Sequence, residues 1–149
     1  MTFLDRTDTL PDPHHDPAFY DGVLTKRGIA WLMDVTLITV LTFLAGIVTL
    51  SAAWFLWPLT FLVIGFLYRV TTLSNRSATL GMRVMGIELR DLHGDRFDGF
   101  TAALHVIGYY ASMSFVLPAL ASIAAMFVTD KRQGLTDLLL GSAAINRPG

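Results

Sequence analysis

Two ionisable residues stand where they can do charge chemistry inside an apolar helix. Asp34 interrupts the run from Gly28 to Leu50 in KRGIAWLMDVTLITVLTFLAGIVTL, and Arg27 stands just before that run. Seven positions separate them, two helical turns, so both fall on one stripe. A carboxylate at mid-span costs about 2.5–3.5 kcal/mol on insertion scales. The stripe should therefore face protein or water, with cationic neighbours shielding the acid from acyl chains. Asp137, in DKRQGLTDLLLGSAAI, is a third such residue, an acid in an otherwise apolar patch. Arg69 is an accessory charge within a second apolar run. Its depth differs from that of Asp34 by only a few ångströms at about 1.5 Å per residue. Arg69 either pairs with Asp34 across a helical hairpin or snorkels to lipid phosphates.

With both chain ends on one side, Arg27 and Asp137 share the inner membrane surface and can pair. Arg27 then sits between two acids. One reading of Arg27, Asp34 and Asp137 is a polar site for an ion or small solute at the inner leaflet. The other is an internal clamp that fixes helix order and touches no ligand. Buried ion pairs are better evidence for register than for stability, and the clamp is preferred.

Other chemistry finds little support. HExxH, the P-loop and GxGxxG are absent. With no cysteine there is neither a disulfide framework nor a thiolate metal site. Serines and threonines in apolar helices usually bond to backbone. The histidines are scattered, and His105 reads as a packing or interface residue. His14 and His15, flanked by Asp12 and Asp16, offer weak metal ligands, but nothing nearby fixes a coordination geometry. The expectation is a protein that is not an enzyme and has no cofactor or metal. A net charge of −1 gives no bulk attraction to nucleic acid.

These residues need elements to hold them. The chain has 149 residues, 53% apolar and only 15% charged, against about 25% charged in a soluble domain. Lipid rather than water should surround most of it. The fold class expected is all-α integral membrane. Residues 1–20 are acidic and proline-rich, lack a signal-peptide core and read as a flexible cytoplasmic tail. Phe19 and Tyr20 suit the headgroup level. Residues 21–149 form the membrane domain, with spans near 28–50, 52–73 and 101–128. The first apolar helix is then retained as its own insertion signal.

The first two spans are joined by Ser51-Ala52-Ala53 and must form an antiparallel hairpin, with Trp54 and Trp57 at its outer end. The polar interlude from residue 74 to 100 carries Arg76, Arg83, Arg90 and Arg96. With Lys26 and Arg27 these place the N-terminus and this loop in the cytoplasm by the positive-inside rule. Within it, Ser77 can cap a short helix through Met85. Met85, Ile87 and Leu89 then alternate with polar positions ahead of a His93-Gly94-Asp95 turn, predicting a small interfacial β-hairpin. The third stretch is interrupted by Pro118. It is either one long kinked span or a segment broken at Pro118 that returns as a shorter arm. Lys131, Arg132 and Arg147 favour the return. Leu135 and Leu138–Leu140 suggest a last short element dipping into the interface.

Three blocks, Tyr20–Asp34, Ser77–Gly94 and Asp130–Ile145, resemble in order and spacing the signature blocks of the RDD family of small bacterial membrane proteins. By that resemblance the arginine and two aspartates of the family name correspond to Arg27, Asp34 and Asp137. Thr136 stands where many members have histidine, and Ser142 where many have threonine. A proton-handling role for that histidine is therefore not carried over. The resemblance implies a multi-pass protein of the bacterial inner membrane, in a family for which transport of some ligand has been suggested.

Three or four hydrophobic segments enclose little of a pore alone, so the polar stripes predict association. The expected partners are the lipid bilayer and either other membrane protein subunits or further copies of the chain, with no nucleic acid. The function expected is an accessory, structural or assembly subunit of a membrane complex. The alternative is a small ion- or solute-transporting permease using Arg27, Asp34 and Asp137.

Overall fold

A computed structural model describes residues 10–147. Helix α1 (Val23–Val48) follows Gly22, whose left-handed φ of 67° turns the chain into it. One face, Ala30, Asp34, Ile38, Thr42 and Gly46, is buried at a spacing of four. The rest of the helix exposes large apolar side chains such as Leu32 and Phe43. That inversion of the usual pattern is stable where the solvent is lipid. Thr36, Thr39 and Thr42 each return their hydroxyl to the carbonyl four residues back, at 2.8 Å, so no hydroxyl is stranded in the apolar face.

A tight link through the one-turn helix α2 (Ala52–Phe55) leads to α3 (Trp57–Arg76). Trp54 lies back on α1, stacked on Phe43 and donating to the Phe43 carbonyl at 3.1 Å. The link takes up residues 49–56, so the second long helix starts at Trp57 rather than near residue 52. Pro58 sits in its first turn, where a missing N–H is harmless. By length and composition α1 and α3 can each cross a membrane. At about 1.5 Å per residue they run roughly 39 and 30 Å.

Helix α4 (Leu80–Met85) follows, and its cap differs from the expected one. Ser77 adopts a left-handed φ of 55° to end α3, and its hydroxyl donates to the Leu89 carbonyl. Thr79 caps α4 instead, accepting from the Met82 N–H at 3.2 Å. Leu80 and Val84 are exposed.

Strand β1 (Ile87–Arg90) forms, but not as part of a local hairpin. Its partner is β2 (Ala143–Asn146) from the C-terminal end, antiparallel, with Ile87 opposite Asn146 and Arg90 opposite Ala143. The turn after β1 also forms, with Asp91 Oδ1 accepting from the His93 and Asp95 N–H groups at 2.8 and 2.9 Å. No returning strand follows it, because the next residues are committed elsewhere. The Phe97 N–H donates to Ser77 Oγ at 3.0 Å, and Asp98 caps the following helix through the Thr101 N–H at 2.7 Å.

The third apolar stretch divides into α5 (Gly99–Met113) and α6 (Val116–Val128), bent by 116°. The break is at Ser114-Phe115, not at Pro118. Phe115 is extended (φ −125°, ψ 141°) and caps α6, and Pro118 is the third residue of that helix, where its N–H would have had no partner. Neither half is long enough to cross alone; counted as one bent span, the pair brings the candidate spans to three. Helix α7 (Leu135–Leu140) is a short piece outside the spans, with Leu138 and Leu139 exposed and Thr136 and Asp137 buried.

The larger buried apolar cluster is made by Val23, Leu73, Ile87, Leu89, Phe97, Ala102, Val106 and Ala144. Around it gather the start of α1, the end of α3 and the β1–β2 pair. Lys26 Nζ donates to Asn146 Oδ1 at 2.6 Å, which ties the first helix to the last strand. A second cluster corrects the flexible-tail expectation. Leu10 and Tyr20 are buried against Ala143 and Ile145, Tyr20 Oη donates to the Pro11 carbonyl at 2.7 Å, and Asn146 Nδ2 donates to the Ala18 and Asp21 carbonyls. The expectation missed that two aromatic rings and a leucine give this segment enough apolar area to dock. Tyr20 is consequently inside protein rather than at the headgroup level. Residues 1–9 of the expected tail lie outside the described residues.

Candidate functional site

Asp34 is 1% exposed and accepts three hydrogen bonds, all from neutral donors. Tyr68 Oη donates to Oδ1 at 2.7 Å, the Gly81 N–H to Oδ1 at 2.9 Å, and Thr79 Oγ1 to Oδ2 at 2.5 Å. Tyr68 Oη in turn accepts from the Leu80 N–H at 3.1 Å. The carboxylate thus pins α4 and the end of α3 against α1. Gly81 makes this approach possible, since a Cβ there would lie 2.3 Å from the Ala30 carbonyl oxygen. Cationic shielding, the expectation for this acid, is replaced by hydroxyl and amide dipoles. No cation comes within ion-pair distance of Asp34 among the described residues.

Asp137 is the opposite case. It is 1% exposed and sits between a guanidinium and an imidazole. Arg27 Nη1 is 2.7 Å from Oδ2, and His105 Nε2 is 3.1 Å from Oδ1. Ser142 Oγ donates to Oδ1 at 2.9 Å, and the Gly134 N–H to Oδ2 at 3.2 Å. Arg27 Nη1 also reaches the Arg132 carbonyl at 3.3 Å. Burial alone would push the Asp137 carboxyl up. The Arg27 charge, His105 and the Ser142 hydroxyl outweigh burial and hold it well below the usual carboxylate range. An ionised carboxylate has about four acceptor positions, and four donors fill them here.

Of the residues singled out in the sequence, the structure brings Arg27 and Asp137 together, two helical turns along α1 from Asp34. It does not pair Arg69 with Asp34, and Arg69 does not snorkel out either. Its guanidinium is buried, 4.5 Å above the Tyr109 ring, with Nη2 3.4 Å from Tyr109 Oη. Tyr109 Oη also accepts from Trp31 Nε1 at 2.7 Å. His15 Nδ1 lies 2.9 Å from Asp12 Oδ2, and His14 Nε2 lies 3.4 Å from Asp130 Oδ2. No group of three metal-ligand side chains occurs among the described residues.

Several working residues escape sequence reasoning. His105 faces Asp137 from the second turn of α5. Tyr68 and Thr79 complete the Asp34 shell. Glu88 is fully buried with Arg90 against it, and Arg96 and Arg147 lie 3.8 and 3.7 Å away. The available signal for Thr79 was its place three residues ahead of Met82 at a helix start. For His105 it was a basic-capable side chain early in an apolar segment.

Between α1, α3, α5, α6 and α7 lies a cavity of about 520 Å³. Arg27, Asp34, Arg69, His105, Tyr109 and Asp137 form its polar wall, and Ile123, Met126 and Phe127 are among the residues of its apolar wall.

The RDD family profile matches residues 22–141, from the turn before α1 to the turn after α7. Comparison with curated proteins and with solved structures gave no match. The match spans Arg27, Asp34 and Asp137 and helices α1 to α7, and the chain belongs to the RDD family.

Proposed function

We propose that the chain is an accessory or assembly subunit of a membrane complex, and that Arg27, Asp34 and Asp137 are its internal clamp. One observation supports this above others. All four acceptor positions of Asp137 and three of Asp34 are taken by groups of the same chain. A carrier of cations needs oxygens that can exchange partners, and these are committed. The exposed apolar faces of α1, α3 and α6 suit lipid or neighbouring helices. Lys26, Arg90, Arg96 and Arg147 lie against β1 and β2, through Asn146 and Glu88. That grouping supports placing the strand pair, with both termini, on the cytoplasmic side of a bacterial inner membrane.

Purification in mild detergent from reciprocally tagged partners tests the proposal, alongside reconstitution into liposomes loaded with a pH- or sodium-sensitive dye. The expected outcome is a stoichiometric partner kept by Asp34→Asn and ion flux no greater than in empty liposomes. Flux that Asp34→Asn abolishes, with the protein still folded, would overturn it. That outcome establishes the second reading, a small permease, which the cavity beside the clamp favours.

A further inference from the structure

The clamp neutralises Arg27, but it leaves Arg69 without an acid. Arg69 is 8% exposed, and no carboxylate among the described residues lies within 4.0 Å of it. Its Nε is buried and has no hydrogen-bond partner. Its polar neighbours are two tyrosines and no acid: Tyr109, whose ring lies under it and whose hydroxyl is 3.4 Å from Nη2, and the Tyr110 hydroxyl. Asp34 also lines the cavity, but its oxygens face Tyr68, Thr79 and Gly81. A buried guanidinium with unused donors is expensive in a low dielectric, and its planar fork matches a two-oxygen anion.

The space in front of it fits such an anion with an apolar tail. A cavity of about 520 Å³ lies within the range of roughly 300–1,000 Å³ typical of ligand sites. Arg69 is on its polar side, and Ala119, Ile123 and Met126 of α6 are on its apolar side. A free inorganic anion would leave that apolar wall uncovered, whereas a neutral lipid would leave Arg69 unanswered.

We infer that this cavity holds one anionic amphiphile, its oxyanion head on Arg69 and its tail along α6. Carboxylate and phosphate heads share the chemistry that Arg69 recognises. A fatty acid and a phospholipid are the two sources, and both come from the surrounding bilayer.

The full chain in mild detergent can be titrated with a fluorescent fatty acid, and its binding competed with oleate, with phosphatidylglycerol and with inorganic phosphate. Binding to the wild type, weakened about tenfold or more by Arg69→Gln and less by Arg69→Lys, is the expected result, since hydrogen bonds to a charged group contribute about 1.5–3 kcal/mol. Ala119→Trp, which fills the apolar side and leaves Arg69 in place, should also abolish binding, and it serves if Arg69→Gln does not fold. Competition by oleate alone assigns a carboxylate head, and competition by phosphatidylglycerol alone a phosphate head. Competition by inorganic phosphate as strong as by either amphiphile overturns the inference. So does fatty-acid binding that both substitutions leave unchanged.

Discussion

Replacing Asp137 by asparagine keeps the shape of the side chain and removes its charge. Four donors surround the carboxylate, and an amide offers one oxygen and one NH2 group. Arg27 and the Gly134 N–H can only donate, so the amide oxygen must turn toward them, at the positions now 2.7 and 3.2 Å from Oδ2. His105 and Ser142 can switch to accepting from the NH2 group. The hydrogen bonds are therefore mostly rescued, and the loss is the ion pair. Arg27, with its side chain 13% exposed, becomes a largely buried cation with only neutral partners. Breaking a buried pair from one side costs about 3–5 kcal/mol, and the rescued bonds place this case near the lower figure. For a chain of this size each kcal/mol moves the melting temperature by about 2–4 °C, so Asp137→Asn should melt roughly 6–12 °C below wild type in the same detergent. Arg27→Met with Asp137→Leu removes both charges and should recover most of that loss. A melting temperature for Asp137→Asn within about 1 °C of wild type, or a double variant no better than the single one, refutes the clamp.

The pH dependence follows from the sign of the Asp137 shift. Its carboxyl is held down in the folded chain, so its stabilisation is complete above the unfolded value near 3.9. It is lost only as the pH falls toward the lowered folded value. The gap in melting temperature between wild type and Asp137→Asn should therefore persist to about pH 4 and narrow only below it, read by melts across an acid series. Thr79→Val removes both a bond to Asp34 and the α4 cap, and should lower stability by about 2–4 kcal/mol in the same melting assay, where Ser77→Ala isolates the other hydroxyl. Gly81→Ala places a Cβ against backbone rather than a flexible side chain; α4 should lift from α1, and a cysteine probe at exposed Val84 should change its labelling rate. Pro118→Ala should leave the α5–α6 bend intact, because Phe115 makes it; spin-label distances between the two helices should shift by no more than about 2 Å, little more than the rise of one helical residue.

How much was legible in the sequence differs by element. The two long helices announce themselves because an apolar run of that length has few other uses. Arg27, Asp34 and Asp137 were visible because charge in such a run is costly. What each one touches was not. Asp34 is satisfied by Tyr68, Thr79 and Gly81, residues whose types are common in any chain and whose convergence depends on how α4 folds back. The β1 segment showed its alternation, but strand pairing is a long-range property, and the partner lay more than fifty residues on. Pro118 attracted the break because proline usually ends helices. Here the extended Phe115 had already ended one, and proline fell where a new helix tolerates it.

The order in which the chain is made gives the two acids different histories. By the time residue 81 has been synthesised, every group that holds Asp34 exists, and once α4 is complete at residue 85 it can settle with the two long helices as a finished unit. Arg27 has to wait for Asp137, 56 residues later, an interval on the order of several seconds at roughly 5–20 residues per second. During that interval its guanidinium must be held by water or lipid phosphate at the membrane surface. A ribosome stalled, or a chain cut, anywhere between those two points would leave a protein with one acid locked and one cation still searching. Helix α7, which carries Asp137, then acts as a latch that closes on Arg27.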